Sequence, residues 1–110
     1  INQDGYLSGY AVDALRRKYY THPDTGVGFN ESIPYWDELK KFTINVAQKI
    51  LYSRLMGLDV CLDEKSNWRM IEINNFSATI GMSQNYGIPF FGEHLAEVYE
   101  YCKNNHWALI

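Results

Sequence analysis

The chain has 110 residues, 46% of them hydrophobic and 21% charged, and a formal net charge of -3, which is an ordinary globular composition with room for one core. Its cations are scattered apart from Arg16-Arg17-Lys18, so the basic stripe that follows a nucleic-acid backbone is missing and nucleic acid is not an expected partner. No apolar run of about 18 residues is present to cross a bilayer, and Ile-Asn-Gln-Asp-Gly lacks the regions of a signal peptide, so a cytoplasmic location with no membrane span is expected. The chain opens at INQDGYLSG without Met, already in a strand-like pattern. That start suggests a single domain, residues 1–110, belonging to a longer protein.

In chain order, YLSGYAV (6–12) and LRRKYY (15–20) are rich in Tyr, Leu and Val and predict two antiparallel strands joined tightly at Asp13-Ala14, with Gly9 at a bulge or close approach. HPDTGVGFNESIP (22–34) has the turn chemistry of an ordered loop. Leu39, Phe42, Val46, Ile50 and Leu51, flanked by Trp36 and Ala47, recur at helical spacing and predict a long helix over about 35–54, with Asp37 and Glu38 in its first turn. A hairpin follows. Residues 75–92 are polar and glycine-bearing and predict irregular structure, and Leu95, Val98, Tyr99 and Cys102 form one face of a final helix over about 93–105. Strand, strand, helix, strand, strand, helix describes an α+β fold, a mainly antiparallel sheet with helices packed on one face. Cys61 and Cys102 lack the close spacing of zinc or redox motifs and read as reduced, buried thiols, and His94 and His106 read as surface or packing residues.

The hairpin GLDVCLDEKSNWRMIEINN (57–75) poses a question of chemistry. A two-residue turn at Lys65-Ser66 pairs Val60 with Ile71 and Asp59 with Glu72. Leu58, Val60, Ile71 and Ile73 then share an apolar face, while Asp59, Cys61, Met70, Glu72 and Asn74 share the other. A one-residue slip would spoil the apolar face, so the pattern supports the register. Opposed carboxylates repel unless a cation lies between them or one takes up a proton. Magnesium, which needs hard oxygen donors and keeps water and phosphate in its shell, suits Asp59, Glu72 and the Asn74 amide oxygen. The plain alternative is a solvated sheet face on which surface charge is the default.

GLDVCLD followed by a hairpin and MIEINN resembles the carboxy-terminal metal-binding hairpin of the ATP-grasp superfamily, with Asp59, a Glu thirteen residues on and an Asn two further. THPDTGVGFNESIPYWDEL ahead of a long helix is similar to the branch associated with sugar transfer and polysaccharide biosynthesis. The resemblance implies the carboxy-terminal lobe of an enzyme that ligates a carboxylate to an amine or similar nucleophile. Asp59, Glu72 and Asn74 would hold magnesium or manganese against ATP. It also implies a missing amino-terminal lobe that supplies the adenine contacts and phosphate-binding lysines, so the isolated chain should be inactive and, with its docking surface bare, should self-associate. The acceptor would be a small molecule, sugar- or amino-acid-derived.

On the same resemblance, Arg16 and Lys18 share a strand face from which a cation reaches phosphate or acceptor, or they belong to a charged edge strand. His22 shapes the acceptor pocket or caps a turn. Ser77, Thr79 and Ser83 line the substrate site or form turns. Two features depart from the amino-acid ligases of the superfamily: Gly57 stands where many carry an arginine two residues before the aspartate, and NFSATIGMSQ replaces a Ser-Pro-Gly turn. TGVGFN lacks the Lys and Ser/Thr of a Walker loop. The alternative function is a non-catalytic module, either a scaffold or a carbohydrate-binding platform built on Tyr6, Tyr10, Tyr19 and Tyr20. Exposed rings on one face would favour the platform, and burial against the long helix would count against it.

Overall fold

The computed structural model of the chain describes residues 1–75 and 80–105. Two hairpins of one design carry its strands. β1 (Ala11–Val12) pairs antiparallel with β2 (Lys18–Tyr19), and β3 (Gly57–Leu62) with β4 (Trp68–Asn74), as two separate two-stranded sheets. In each, an aspartate opens a three-residue loop whose last residue is left-handed: Arg16 at φ 63° after Asp13, and Ser66 at φ 61° after Asp63. This is the three-residue hairpin connection, a type I turn closed by a left-handed residue. The aspartate Oδ1 accepts from two backbone N–H groups, those of Leu15 and Arg17 in the first hairpin and those of Lys65 and Asn67 in the second. Its Oδ2 accepts from an arginine on the returning side, Arg17 Nε at 2.7 Å or Arg69 Nε at 2.8 Å.

Donors aimed at a carboxylate favour its charged form. The Arg17 backbone N–H leads the causes that hold Asp13 down at about 2, and the Asn67 backbone N–H leads those that lower Asp63. Two expectations change here. The turn at Lys65-Ser66 is a three-residue loop, Glu64 to Ser66, and Arg16 leaves its expected strand for a turn tip.

Residues 5–9, expected to continue into β1, instead run antiparallel to residues 29–33. Ile33 N–H donates to the Gly5 carbonyl at 2.9 Å, Leu7 N–H to Glu31 at 3.0 Å, and Gly9 N–H to Phe29 at 3.0 Å. Residues 29–33 of the expected loop are therefore a strand-like partner. Gly5, buried and at φ 87°, lets the backbone press against an indole: a β-carbon there would lie 2.5 Å from Trp36 Cγ.

α1 (Trp36–Lys49) starts under two such clamps, Trp36 Nε1 donating to the Gln3 carbonyl at 2.8 Å and Trp68 Nε1 donating to Tyr35, its left-handed N-cap, at 3.2 Å. Asp37 and Glu38 in the first turn and Lys49 in the last complement the helix dipole. Trp36, Leu39, Phe42, Val46 and Ala47 form its half-buried stripe. The helix ends five residues before its expected limit. Ile50 N–H turns back to the Ala47 carbonyl, tightening the last turn, and Leu51 stands 86% exposed instead of joining the stripe.

The stretch expected to be irregular contains a short helix, α2 (Gly81–Asn85), and the last helix opens with a 3₁₀ turn, Gly92–His94, before α3 (Leu95–Asn104). The half-buried face of α3 is Val98, Tyr101 and Cys102, with Leu95 and Tyr99 exposed, so it is rotated from the expected one. Arg54 lies 5.3 Å from the Tyr101 ring centre and ties α3 to the approach to β3. No helix among the described residues is long and apolar enough to cross a membrane.

Among the described residues no hydrophobic side chain is buried. The chain exposes 9019 Å², against about 6,300 Å² for a folded monomer of its mass. Its radius of gyration is 16.1 Å, against about 13 Å for a closed domain of this length. The α+β elements are formed, but they do not close a core on one another.

Two outcomes are expected. Gly5→Ala, which meets both a positive φ and Trp36, should destabilise by more than about 1 kcal/mol. Denaturation followed by tryptophan fluorescence checks this, and an unchanged midpoint would disprove the contact. Because the Asp13 carboxyl titrates near 2 and not at its ordinary 3.8, its turn contributes fully above pH 4 and loses that contribution as pH falls from about 4 towards 2. The Leu15 and Arg17 amide shifts should titrate with a midpoint near 2, and a midpoint near 3.8 would show the turn bonds absent.

Candidate metal centre

The three-residue loop sets Leu62 opposite Trp68, Cys61 opposite Arg69 and Val60 opposite Met70. Continued unchanged, this register would bring Ile71 opposite Asp59 and turn Glu72 to the apolar face. A register shift between Asp59 and Val60 prevents that: Ile71 is left unpaired as a bulge, and beyond it Asp59 faces Glu72, Leu58 faces Ile73 and Gly57 faces Asn74. The expected opposition of Asp59 and Glu72 stands. The expected Val60–Ile71 pair does not, and Met70 joins Leu58, Val60, Leu62 and Trp68 on the half-buried face while Ile71 is 66% exposed.

Asp59, Glu72 and Asn74 therefore occupy one face. Asn74 Nδ2 donates to Asp59 Oδ2 at 3.2 Å, which orients the amide beside the carboxylate. Asp59 and Glu72 are exposed and Asn74 is half-buried. The ion pairs among the described residues all involve other side chains, so the two carboxylates meet without a local cation. Two carboxylates and an amide oxygen are a hard donor set that fits magnesium. No group of three or more His, Cys, Asp or Glu that could hold a metal ion gathers among the described residues. Cys61 shares the face opposite Arg69, but its thiol is free and exposed instead of buried; Cys102 is free and half-buried.

The remaining candidates are not gathered at this hairpin by any hydrogen bond or ion pair among the described residues. Arg16 is exposed at the tip of the first turn. Lys18, on β2, holds its Nζ 4.4 Å from the centre of the Tyr10 ring. His22 caps a turn, its Nδ1 accepting from Asp24 N–H at 3.2 Å while its backbone N–H donates to the Val27 carbonyl at 2.8 Å. Ser83 Oγ donates to the Ile80 carbonyl. Ser77, Thr79 and His106 lie outside the described residues.

Tyr10 packs against Tyr86, with ring centres 5.8 Å apart and planes at 25°, and against Tyr20 at 6.3 Å. The Tyr86 hydroxyl accepts from Val12 N–H at 3.1 Å, across 74 residues of sequence. Tyr86 had no signal in the sequence. The repeated spacing of Asp13 to Arg17 and Asp63 to Asn67 did offer one for the turns.

A family model for sugar-transfer associated ATP-grasp proteins matches residues 1–91. No curated protein matches the chain, and no solved structure does. The match takes in the hairpin with Asp59, Glu72 and Asn74 as well as the stretch from His22 to α1, and covers most of the chain. The chain belongs to the sugar-transfer associated ATP-grasp family, and ATP-binding, ATP-grasp-related function comes with that membership.

Proposed function

We propose that the chain supplies the magnesium-binding face of an ATP-dependent ligase that joins a carboxylate to an amine or a similar nucleophile in building cell-surface polysaccharide. The observation that carries this reading is Asp59 directly opposite Glu72 with Asn74 fastened to Asp59. Residues 1–110 would act as the carboxy-terminal lobe of that ligase. The open core and the exposed apolar side chains support a role docked to a further lobe, and self-association when that lobe is absent.

Asp59, Glu72 and the Asn74 amide oxygen would hold the ion. Bound there, magnesium or manganese would neutralise charge on the transferred phosphoryl group and fix its direction. Lys18, and Arg16 from its exposed turn, would place positive charge against phosphate or acceptor. His22 retains Nε2 for an acceptor while Nδ1 keeps the turn, and Ser77 would contribute to the same pocket. The exposure of Tyr20 at 66% and Tyr6 at 53%, with Tyr10 stacked on Tyr86, favours a second reading in which these rings stack on a sugar.

The test is magnesium- and manganese-dependent ATP binding and hydrolysis by the full-length protein. Asp59→Asn and Glu72→Gln should each reduce turnover by about 100-fold or more, since metal polarisation contributes several kcal/mol. Wild-type turnover in both variants would leave the carboxylates as surface charge. Saturable sugar binding that survives both variants and is lost in Tyr20→Ala would favour the second reading.

A further inference from the structure

β1 and β2 are two residues long each, and a lone two-stranded ribbon of that size is marginal in water. Lys18, the side chain that would bring charge to phosphate, sits on this ribbon directly opposite Val12. The Val12 N–H donates to Tyr86, whose hydroxyl thus takes the place of a carbonyl from a third strand. The Tyr86 ring stacks on Tyr10, and Tyr10 carries the Lys18 ammonium on its ring. One side chain from beyond the carboxylate hairpin thus holds both the backbone across from Lys18 and the ring beneath its charge.

We propose that Tyr86 is a positioning residue for Lys18: its hydroxyl secures Val12 and its ring supports Tyr10, so that the Lys18 cation is presented in one direction to an anionic phosphate ligand. This rests on the reading of the chain as a magnesium–ATP site. A flexible lysine otherwise samples many rotamers, and limiting them lowers the entropy lost when phosphate binds. The contribution of a cation over a tyrosine at an exposed site is modest, and losing the support should weaken ligand binding about three- to fivefold, not abolish it.

The experiment uses the full-length protein and two readouts. A Lys18 ε-methylene over an aromatic face resonates upfield, and that shift should be present in the wild type and in Tyr10→Phe, and lost in Tyr10→Leu and Tyr86→Phe. Magnesium–ATP affinity should fall about three- to fivefold in Tyr86→Phe, with no further fall when Tyr86→Phe is added to Lys18→Met. A Lys18 shift unchanged by Tyr86→Phe overturns the proposal, as does an equal loss of affinity with and without Lys18. If Tyr86→Phe abolishes the shift while magnesium–ATP affinity ignores Asp59→Asn, the nucleotide reading fails but Tyr86 is supported as the residue that places Lys18.

Discussion

The direct opposition of Asp59 and Glu72 is the constraint on which the rest of the hairpin depends, and it survives because two one-residue offsets cancel. The left-handed Ser66 lengthens the loop to three residues, and the unpaired Ile71 returns the register. Because strand side chains alternate with a period of two, either offset alone would place Glu72 against α1 and bring an isoleucine beside Asp59. The bulge exposes Ile71, a cost in apolar burial, and keeps both carboxylates on one face. Bulges often re-aim a side chain in this way beside functional sites.

What joins the two hairpins is a small set of bolts, not a packed interior. Trp36 under Gly5 and Trp68 on Tyr35 hold the start of α1 between the amino-terminal strands and β4, while Tyr86 fastens the segment after β4 to β1. Each bolt is an aromatic side chain with a polar tip, able to contribute ring contact and a hydrogen bond to backbone at once. With no hydrophobic side chain buried among the described residues, the distance between the Lys18 region and the carboxylate face is governed by these few contacts.

The sequence was most legible where one periodicity acted alone. The apolar spacing of Leu39, Phe42 and Val46 identified α1, whereas strand alternation in GLDVCL and MIEIN brought Asp59, Glu72 and Asn74 together only because the longer loop and the bulge at Ile71 cancel, and it misplaced Met70. It was least legible where a side chain answered to the backbone. Asp13 read as part of a tight connection and Asp63 lay outside the expected two-residue turn, yet each organises two N–H groups and an arginine and so sets loop length, the quantity that fixes register. The early end of α1 carries no Gly or Pro signal at its boundary, whereas the short α2 is bounded by Gly81 and by the left-handed Gly87 with Pro89 beyond it; the Tyr10–Tyr86 stack spans too much sequence for local pattern to show it. On α3, Tyr101 meets Arg54, which lies outside the helix and far from it in sequence, a contact that helical periodicity alone does not show.

The carboxylates also divide by how they are satisfied, and this argues for function more directly than motif spacing does. Asp13 and Asp63 are surrounded by N–H donors and an arginine, so their charge is already balanced and their work is local structure. Asp59 and Glu72, facing each other across β3 and β4, have one amide between them and no ion pair among the described residues. The chain has arginines near its turns and none placed between these two acids. Opposed like charges weaken a strand pair in the absence of a cation and strengthen it once one binds. A hairpin with balanced acids at its turn and unbalanced acids at its open end would be stabilised by a cation held between the latter.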